Sequence, residues 1–350
     1  MIYINSNQDY IRQLAENWSR KLEMFLTRVG RYWIEYTPIG ASEAQKVYYD
    51  TYKDKMYGKV ALSKLDEDEK SLCEQYLNTF LGNLSIYAMA WEDGLQSIHD
   101  KYKEEMLDNP TKQKTHAHNL LSSIFMDLYE DFVKSKPIFD DLDDSDDIRL
   151  YSKESIAYYF FYKLDMRTCP YCNRNYTFTV HDDDRQTRPE YDHFYDKANN
   201  PLLAASFYNL VPSCHTCNHV KGNRKLYVNP YFHGFTGQFR IKHDGRFDDY
   251  KTQIIAETDD MHTLGLDLLY PLHEDYVQEI FEKAQAYNKH ARESLVDSFQ
   301  GAGESPDRVF EFVWGKHLEE AKLINRPLSK LTRDILEQLG IIDANERENS

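Results

Sequence analysis

The sequence predicts an α+β fold that is mostly α: a central module of short strands and one helix, flanked by helical regions. Three observations carry that expectation. Apolar residues recur at three- and four-residue steps before residue 135 and again beyond residue 270, which is helical periodicity. Between those regions lie short stretches that alternate and carry β-branched and aromatic residues, as strands do. Four of the five cysteines fall there too, as the pairs Cys169-Pro170-Tyr171-Cys172 and Cys214-His215-Thr216-Cys217.

The first expected helix covers residues 6–29, with Ile11, Leu14, Ala15, Trp18, Leu22, Phe25 and Val29 on one face. Ser6 or Asn7 can cap it and Gly30 can end it. A second is expected from Glu43 to Tyr57, and a third from Asp66 towards Met89, with Leu72, Tyr76, Leu77, Phe80, Leu81 and Leu84 as its apolar face. A fourth, from His116 to Val133, carries Leu120, Leu121, Ile124, Leu128 and Phe132. These aromatic stripes read as core. Cys73, between Leu72 and Tyr76, reads as a small buried hydrophobe. The acidic run from Asp140 to Asp147 repels itself and reads as a solvated linker. The expected organisation is therefore a helical N-terminal domain over 1–139, a linker over 140–150, a central module over 151–245, a helical region over 246–342 and a polar tail over 343–350.

Ser152 can cap a short helix through Tyr158, Tyr159, Phe160, Phe161 and Tyr162 that leads to Cys169. Tyr176 to Val180 reads as a strand, a second short strand ends at Asp192-His193, and Phe239 to Lys242 suggests another. Helical spacing returns with Tyr276, Val277, Ile280, Phe281, Ala284 and Tyr287. Ser305-Pro306 opens a further helix with Phe310, Val313 and Trp314, and Leu328 to Leu339 forms the last, closed by Gly340.

The formal charge is −16, so affinity for a phosphate backbone is not a property of the whole chain. Nucleic acid would have to meet a local basic patch or arrive with a partner. Between Arg167 and Lys225 basic residues slightly outnumber acidic ones, which makes the module less hostile to phosphate than its surroundings. No run of eighteen apolar residues exists and Met1 to Asn5 shows no leader, so a cytoplasmic location is expected.

In a reducing compartment, two Cys-x-x-Cys turns point to a metal before a disulfide. Four thiolates suit tetrahedral Zn²⁺ at about 2.3 Å per bond, and four protein ligands leave no open coordination position. Cys169, Cys172, Cys214 and Cys217 are therefore expected to hold a structural zinc. A redox dithiol is the competing reading, and the second pair argues against it. Asp192, His193, Asn209 and Asn218 suggest a different site. A carboxylate and a carboxamide suit a hard ion such as Mg²⁺ or Mn²⁺, and a neutral imidazole beside it can take a proton from water. That combination serves phosphodiester hydrolysis. Lys197 and Lys221 are possible phosphate contacts. His215 and His219 read as helix-surface residues, with His219 able to replace Asn218 if the helix phase differs by one.

The order Cys-x-x-Cys, Asp192-His193, then Asn209-Leu210-Val211-Pro212-Ser213-Cys214-His215-Thr216-Cys217-Asn218-His219-Val220-Lys221-Gly222 resembles the HNH endonucleases, which have a ββα-metal fold. The resemblance covers roughly Arg167 to Asn229. It implies that Asp192 and Asn218 ligate the catalytic ion, that His193 is the general base and that Asn209 orients the loop bearing it. It also implies in-line attack that leaves 5′-phosphate and 3′-hydroxyl ends. The longer wording, with Phe194-Tyr195, Pro201-Leu202-Leu203-Ala204, Ser206-Phe207-Tyr208 and Asn229-Pro230-Tyr231, looks like the HNH subunits of Septu-type anti-phage systems, which work with an ATPase partner. The chain departs from that pattern at Asp196, where a proline is common, and in lacking a Gly-Gly loop. DNA is the expected substrate. An RNA-cutting defence effector and a non-catalytic zinc-stapled adaptor are the alternatives.

Overall fold

The computed structural model describes residues 2–4, 7–29, 66–135, 155–181, 185–234, 237–243, 250–255, 258–287, 289–301 and 311–342. The expected helix over Glu43 to Tyr57, the acidic linker, the Ser305-Pro306 helix start and the polar tail lie outside the described residues. Those described are mostly helical, with three two-stranded antiparallel sheets.

Helix α1 (Gln8–Val29) buries Ile11, Leu14, Ala15, Trp18, Leu22 and Phe25, the expected stripe. Trp18 is its anchor. The ring meets Phe132 and Phe160 edge-on at 4.9 Å each, and its N–H donates to the Ala205 carbonyl at 2.8 Å. A buried indole thus keeps its one donor satisfied. The single helix expected from Asp66 towards Met89 is broken. Asp66 starts α2 (Glu67–Gly82) with a capping box completed by Glu69. Asn83 stops it: its backbone N–H turns back to Phe80 and its side-chain amide donates to the Thr79 carbonyl at 2.9 Å. Short α3 (Leu84–Ala88) follows, then α4 (Glu92–Tyr102), which runs into a π turn over Lys103–Leu107. Helix α5 (Lys112–Lys134) is capped by Thr111 and starts a turn earlier than expected. Cys73 is buried beside Ala117 of α5. Apolar α6 (Ile156–Leu164) ends at Asp165 in the left-handed region and delivers the chain to the first cysteine turn.

The expected strand from Tyr176 to Val180 is only partly paired. Tyr176 bridges Thr168, and pairing then starts with β1 (Val180–His181) on β2 (Gln186–Thr187). Next come β3 (Glu190–His193), β4 (Leu210–Ser213) and α7 (His215–Lys221). The register sets Glu190 opposite Ser213, Asp192 opposite Val211 and His193 opposite Leu210. Hairpin and helix form one ββα unit, with β3 against α7.

The N-terminal helices cover the loop joining β3 to β4. Tyr195 donates to Gln96 at 2.7 Å, Ser122 donates to the Ala198 carbonyl at 2.7 Å, and His99 Nδ1 lies 2.6 Å from Asn200 Oδ1. The C-terminal region grips the first cysteine turn. It comprises the hairpin β5 (Gln238–His243) with β6 (Tyr250–Ile255), then α8 (Asp260–Thr263), α9 (Leu266–Leu269), α10 (Glu274–Ala286), α11 (Lys289–Gly301) and α12 (Ser329–Gln338). Buried Asn173 is the junction. Its Nδ2 donates to Thr168 Oγ1 and the Leu323 carbonyl at 3.0 Å each, and its Oδ1 accepts from the Lys330 N–H at 3.1 Å. The Tyr270 hydroxyl donates to the Cys172 carbonyl. One apolar core runs through all these parts. Among the described residues, no helix is long and apolar enough to cross a membrane.

Candidate functional site

The four expected cysteines meet. Their sulfurs lie within 4.8 Å of one another and all four residues are buried. Cys172 Sγ and Cys214 Sγ are 4.0 Å apart, close to the separation of about 3.8 Å that tetrahedral zinc imposes on sulfurs at its usual bond length. In the first turn the Asn173 N–H donates to the Cys169 carbonyl at 2.7 Å and the Cys169 N–H to that of Asn175 at 3.0 Å. Asn173 takes φ 47°, which asparagine tolerates. In the second turn Cys214 immediately precedes α7, and Cys217 lies in its first turn. The Arg174 N–H and Asn175 Nδ2 point at sulfurs of Cys172 and Cys214, at 3.4 and 3.2 Å, as donors to thiolates do. Burial pushes Cys169 far up, while hydrogen bonds from the other three cysteines hold Cys214 far down. A buried, all-sulfur, four-donor set of this spacing fits a structural zinc ion.

Asp192 lies between the two cysteine turns and is itself buried. Its Oδ2 accepts from the Tyr171 hydroxyl at 2.6 Å and its Oδ1 from Lys221 Nζ at 3.1 Å. The same ammonium donates to the His193 carbonyl at 2.7 Å. Burial raises the Asp192 pKa to about 6, against the pull of Lys221 and Tyr171. Lys221 is 1% exposed. The expected phosphate contact at Lys221 is therefore corrected: its ammonium is inside the protein, committed to Asp192. The reason is helical phase. Lys221 stands four residues after Cys217 and shares its buried face.

Asn218 meets a different carboxylate. Its Nδ2 donates to Glu190 Oε2 at 2.7 Å, and Glu190 Oε1 lies 2.9 Å from His215 Nδ1. Burial pushes Glu190 up, but the hydrogen bonds from Asn218 and His215 outweigh it and hold the carboxyl below its usual range. Glu190 and Asp192 are two residues apart on β3 and so share a face, which α7 crosses. The two expected ion ligands, Asp192 and Asn218, thus each hydrogen-bond a different group. Each has another protein partner, and both oxygens of Asp192 accept hydrogen bonds.

His193 is 8% exposed, with its ring edge-on to Tyr129 at a centroid distance of 4.6 Å. Nε2 lies 3.0 Å from the Ala204 carbonyl. A carbonyl only accepts, so Nε2 carries the proton and Nδ1 keeps a lone pair. Burial, reinforced by Lys197 and Lys221, lowers the pKa to about 3, so the ring is neutral at physiological pH. Asn209, fully buried, sets this geometry. Its Oδ1 accepts from the Tyr195 N–H at 2.8 Å, and its Nδ2 donates to the carbonyls of Tyr195 and Leu203 at 3.1 and 3.0 Å. It thereby ties the segment after His193 to the turn that presents Ala204. Half-buried Lys197 holds its ammonium 5.0 Å from the Tyr129 ring centre, beside the histidine. Asp196 accepts from the Asn199 N–H at 3.0 Å and serves its own turn.

Sequence reasoning passed over Tyr171, Glu190 and Tyr129. Glu190 carried a signal, since two residues before Asp192 on a strand is the same face. Tyr171 sits inside the first cysteine turn, and Tyr129 comes from a distant helix that no local pattern links to His193. No family model matches the chain, no curated protein matches it, and no solved structure matches it.

Proposed function

We propose that this chain is a nuclease of the HNH class that hydrolyses phosphodiester bonds in DNA, with His193 as general base. The observation that carries the reading is the neutral His193 ring. Its Nε2 is held by the Ala204 carbonyl and its Nδ1 keeps a lone pair, at the end of the strand that also bears Asp192. In the step proposed, Nδ1 takes a proton from water as the water oxygen attacks phosphorus. The bond from phosphorus to the 3′-oxygen breaks, and that oxygen leaves as a hydroxyl after taking a proton from solvent. The products carry 5′-phosphate and 3′-hydroxyl ends. Lys197 supplies positive charge beside the histidine, where a phosphate approaching the base would pass.

Bound Mg²⁺ or Mn²⁺ would stabilise charge on the phosphate. Asp192 and Asn218 each hydrogen-bond another side chain here, and the proton transfer is assigned to His193. A net charge of −16 makes DNA delivery by a second protein part of the proposal. The Septu-like wording makes that protein an ATPase subunit, and the setting anti-phage defence in the cytoplasm. One observation favours a zinc-stapled adaptor instead: both oxygens of Asp192 are already engaged.

The test is incubation of the full chain, alone and with the protein encoded by the adjacent gene, with plasmid DNA and RNA plus Mg²⁺ or Mn²⁺. The expected result is DNA cut to 5′-phosphate ends. Cleavage of RNA alone would move the substrate to RNA, and no cleavage of either would leave the adaptor.

A further inference from the structure

We propose that Glu190, His215 and His219 form a second cation site on the outer face of the ββα unit, taking a borderline divalent ion such as Ni²⁺ or Zn²⁺. His215 and His219 are four residues apart on α7, one helical turn, and their rings face each other with centroids 5.8 Å apart and planes 21° apart. Two imidazoles at that spacing on one helix face can share an ion. Strand β3 brings the carboxylate. Glu190 Oε1 lies 2.9 Å from His215 Nδ1, whereas two donors bound at right angles to one ion at ordinary bond lengths stand about 3.0 Å apart. Glu190 Oε2 is fixed by Asn218 Nδ2 at 2.7 Å, which orients the carboxylate as a supporting hydrogen bond orients a ligand.

Both imidazoles are exposed, so an ion reaches them from solvent. Among the described residues only the four cysteines already hold their donor atoms within 4.8 Å of one another, so His219 has to change rotamer to join Glu190 and His215. Cys214 and Cys217 pin α7 at its start, so the cage holds helix and strand in this register. The other described histidine–carboxylate pairs, His116 with Glu69, His233 with Glu92, His262 with Asp267, His290 with Glu293 and His317 with Glu311, join one imidazole to one carboxylate. None has a second histidine three or four residues along the chain. Two nitrogens and one carboxylate select transition ions over Mg²⁺, and the remaining coordination positions are left to water or an incoming ligand oxygen. This site does not depend on the nuclease reading and differs from the expected Asp192–Asn218 pair.

The experiment uses full-length, tag-free protein with its cysteine cage already loaded with zinc. Ni²⁺ is titrated in by calorimetry. One Ni²⁺ per chain is expected beyond the cage zinc. H215A, H219A and E190Q should each weaken it by about tenfold or more, with cage zinc unchanged, while D192N should bind as wild type does. A readout that needs no variant is the NMR signal of each ring: one equivalent of added Zn²⁺ should shift both His215 and His219. Wild-type affinity in an H215A/H219A double variant would overturn the site, as would Ni²⁺ binding lost only in D192N, or rings that do not respond to Zn²⁺. DNA cleavage is measured on the same samples with the protein encoded by the adjacent gene added. Ni²⁺ binding without cleavage keeps this site and removes the nuclease reading; cleavage without Ni²⁺ binding does the reverse.

Discussion

The cysteine cage and the Asp192–His193 pair share one hairpin and one helix, yet they dispose of their polar atoms in opposite ways. The four sulfurs face one another, and the Arg174 and Asn175 N–H groups donate to those of Cys172 and Cys214. Asp192 and His193 face the protein: a phenol, an ammonium and a carbonyl satisfy them. Like donors gathered in a buried space suit a cation, which offsets the repulsion among their thiolates. A buried carboxylate already bonded to an ammonium is neutralised and needs no ion. Asp192 is therefore a keystone as well as a candidate ligand, since it joins Tyr171 in the first cysteine turn to Lys221 at the end of α7.

The comparison breaks first, and most severely, at the cage. Structural zinc contributes on the order of 10 kcal/mol in small zinc domains. Cys214→Ser, or a strong chelator, should release zinc and abolish the module's cooperative melting, read by metal analysis and circular dichroism. Asp192→Asn should keep its zinc; equal loss from both would erase the distinction. Next comes the buried ion pair. Lys221→Met leaves Asp192 buried with one partner and should cost about 3–5 kcal/mol in urea unfolding. Adding Asp192→Asn should restore part of that, and a surface role for Lys221 would show as a change below about 0.5 kcal/mol.

Asn209→Ala should be milder, about 2–4 kcal/mol, because it strands one N–H and two carbonyls that the amide satisfies. It should also slow cleavage, since Ala204 would lose its placement against His193. A further expected effect is on pH. The His193 pKa is about 3 when folded and 6.5 when unfolded, so the unfolded chain binds the extra proton between those values. The contribution is fully present above pH 6.5 and is lost as pH falls towards 3. NMR should show the His193 ring neutral at pH 5; a protonated ring there would mean it is not buried as described.

Most of the helices were legible in the sequence because apolar spacing is local, and so was the cage, because each Cys-x-x-Cys turn brings its own two sulfurs together. Asn83 shows where locality failed: an apolar stripe continued past a residue whose side chain competes for the helix backbone. The partners of the candidate site were not legible. Which carboxylate faces Asn218, and which way Lys221 points, depend on the phase of α7 against the pleat of β3. Spacing from Cys217 would have placed Lys221 inside, and the i, i+2 rule would have set Glu190 beside Asp192. Tyr129 gave no such sign, because its meeting with His193 depends on how α5 packs against the hairpin.

The most direct measurement is the DNA cleavage rate of His193→Ala against wild type, at matched zinc content and under the same ion and partner conditions. The account predicts a loss of about 100-fold or more, the usual worth of a positioned general base, with the zinc retained. A variant that keeps its zinc and cuts at the wild-type rate would contradict it.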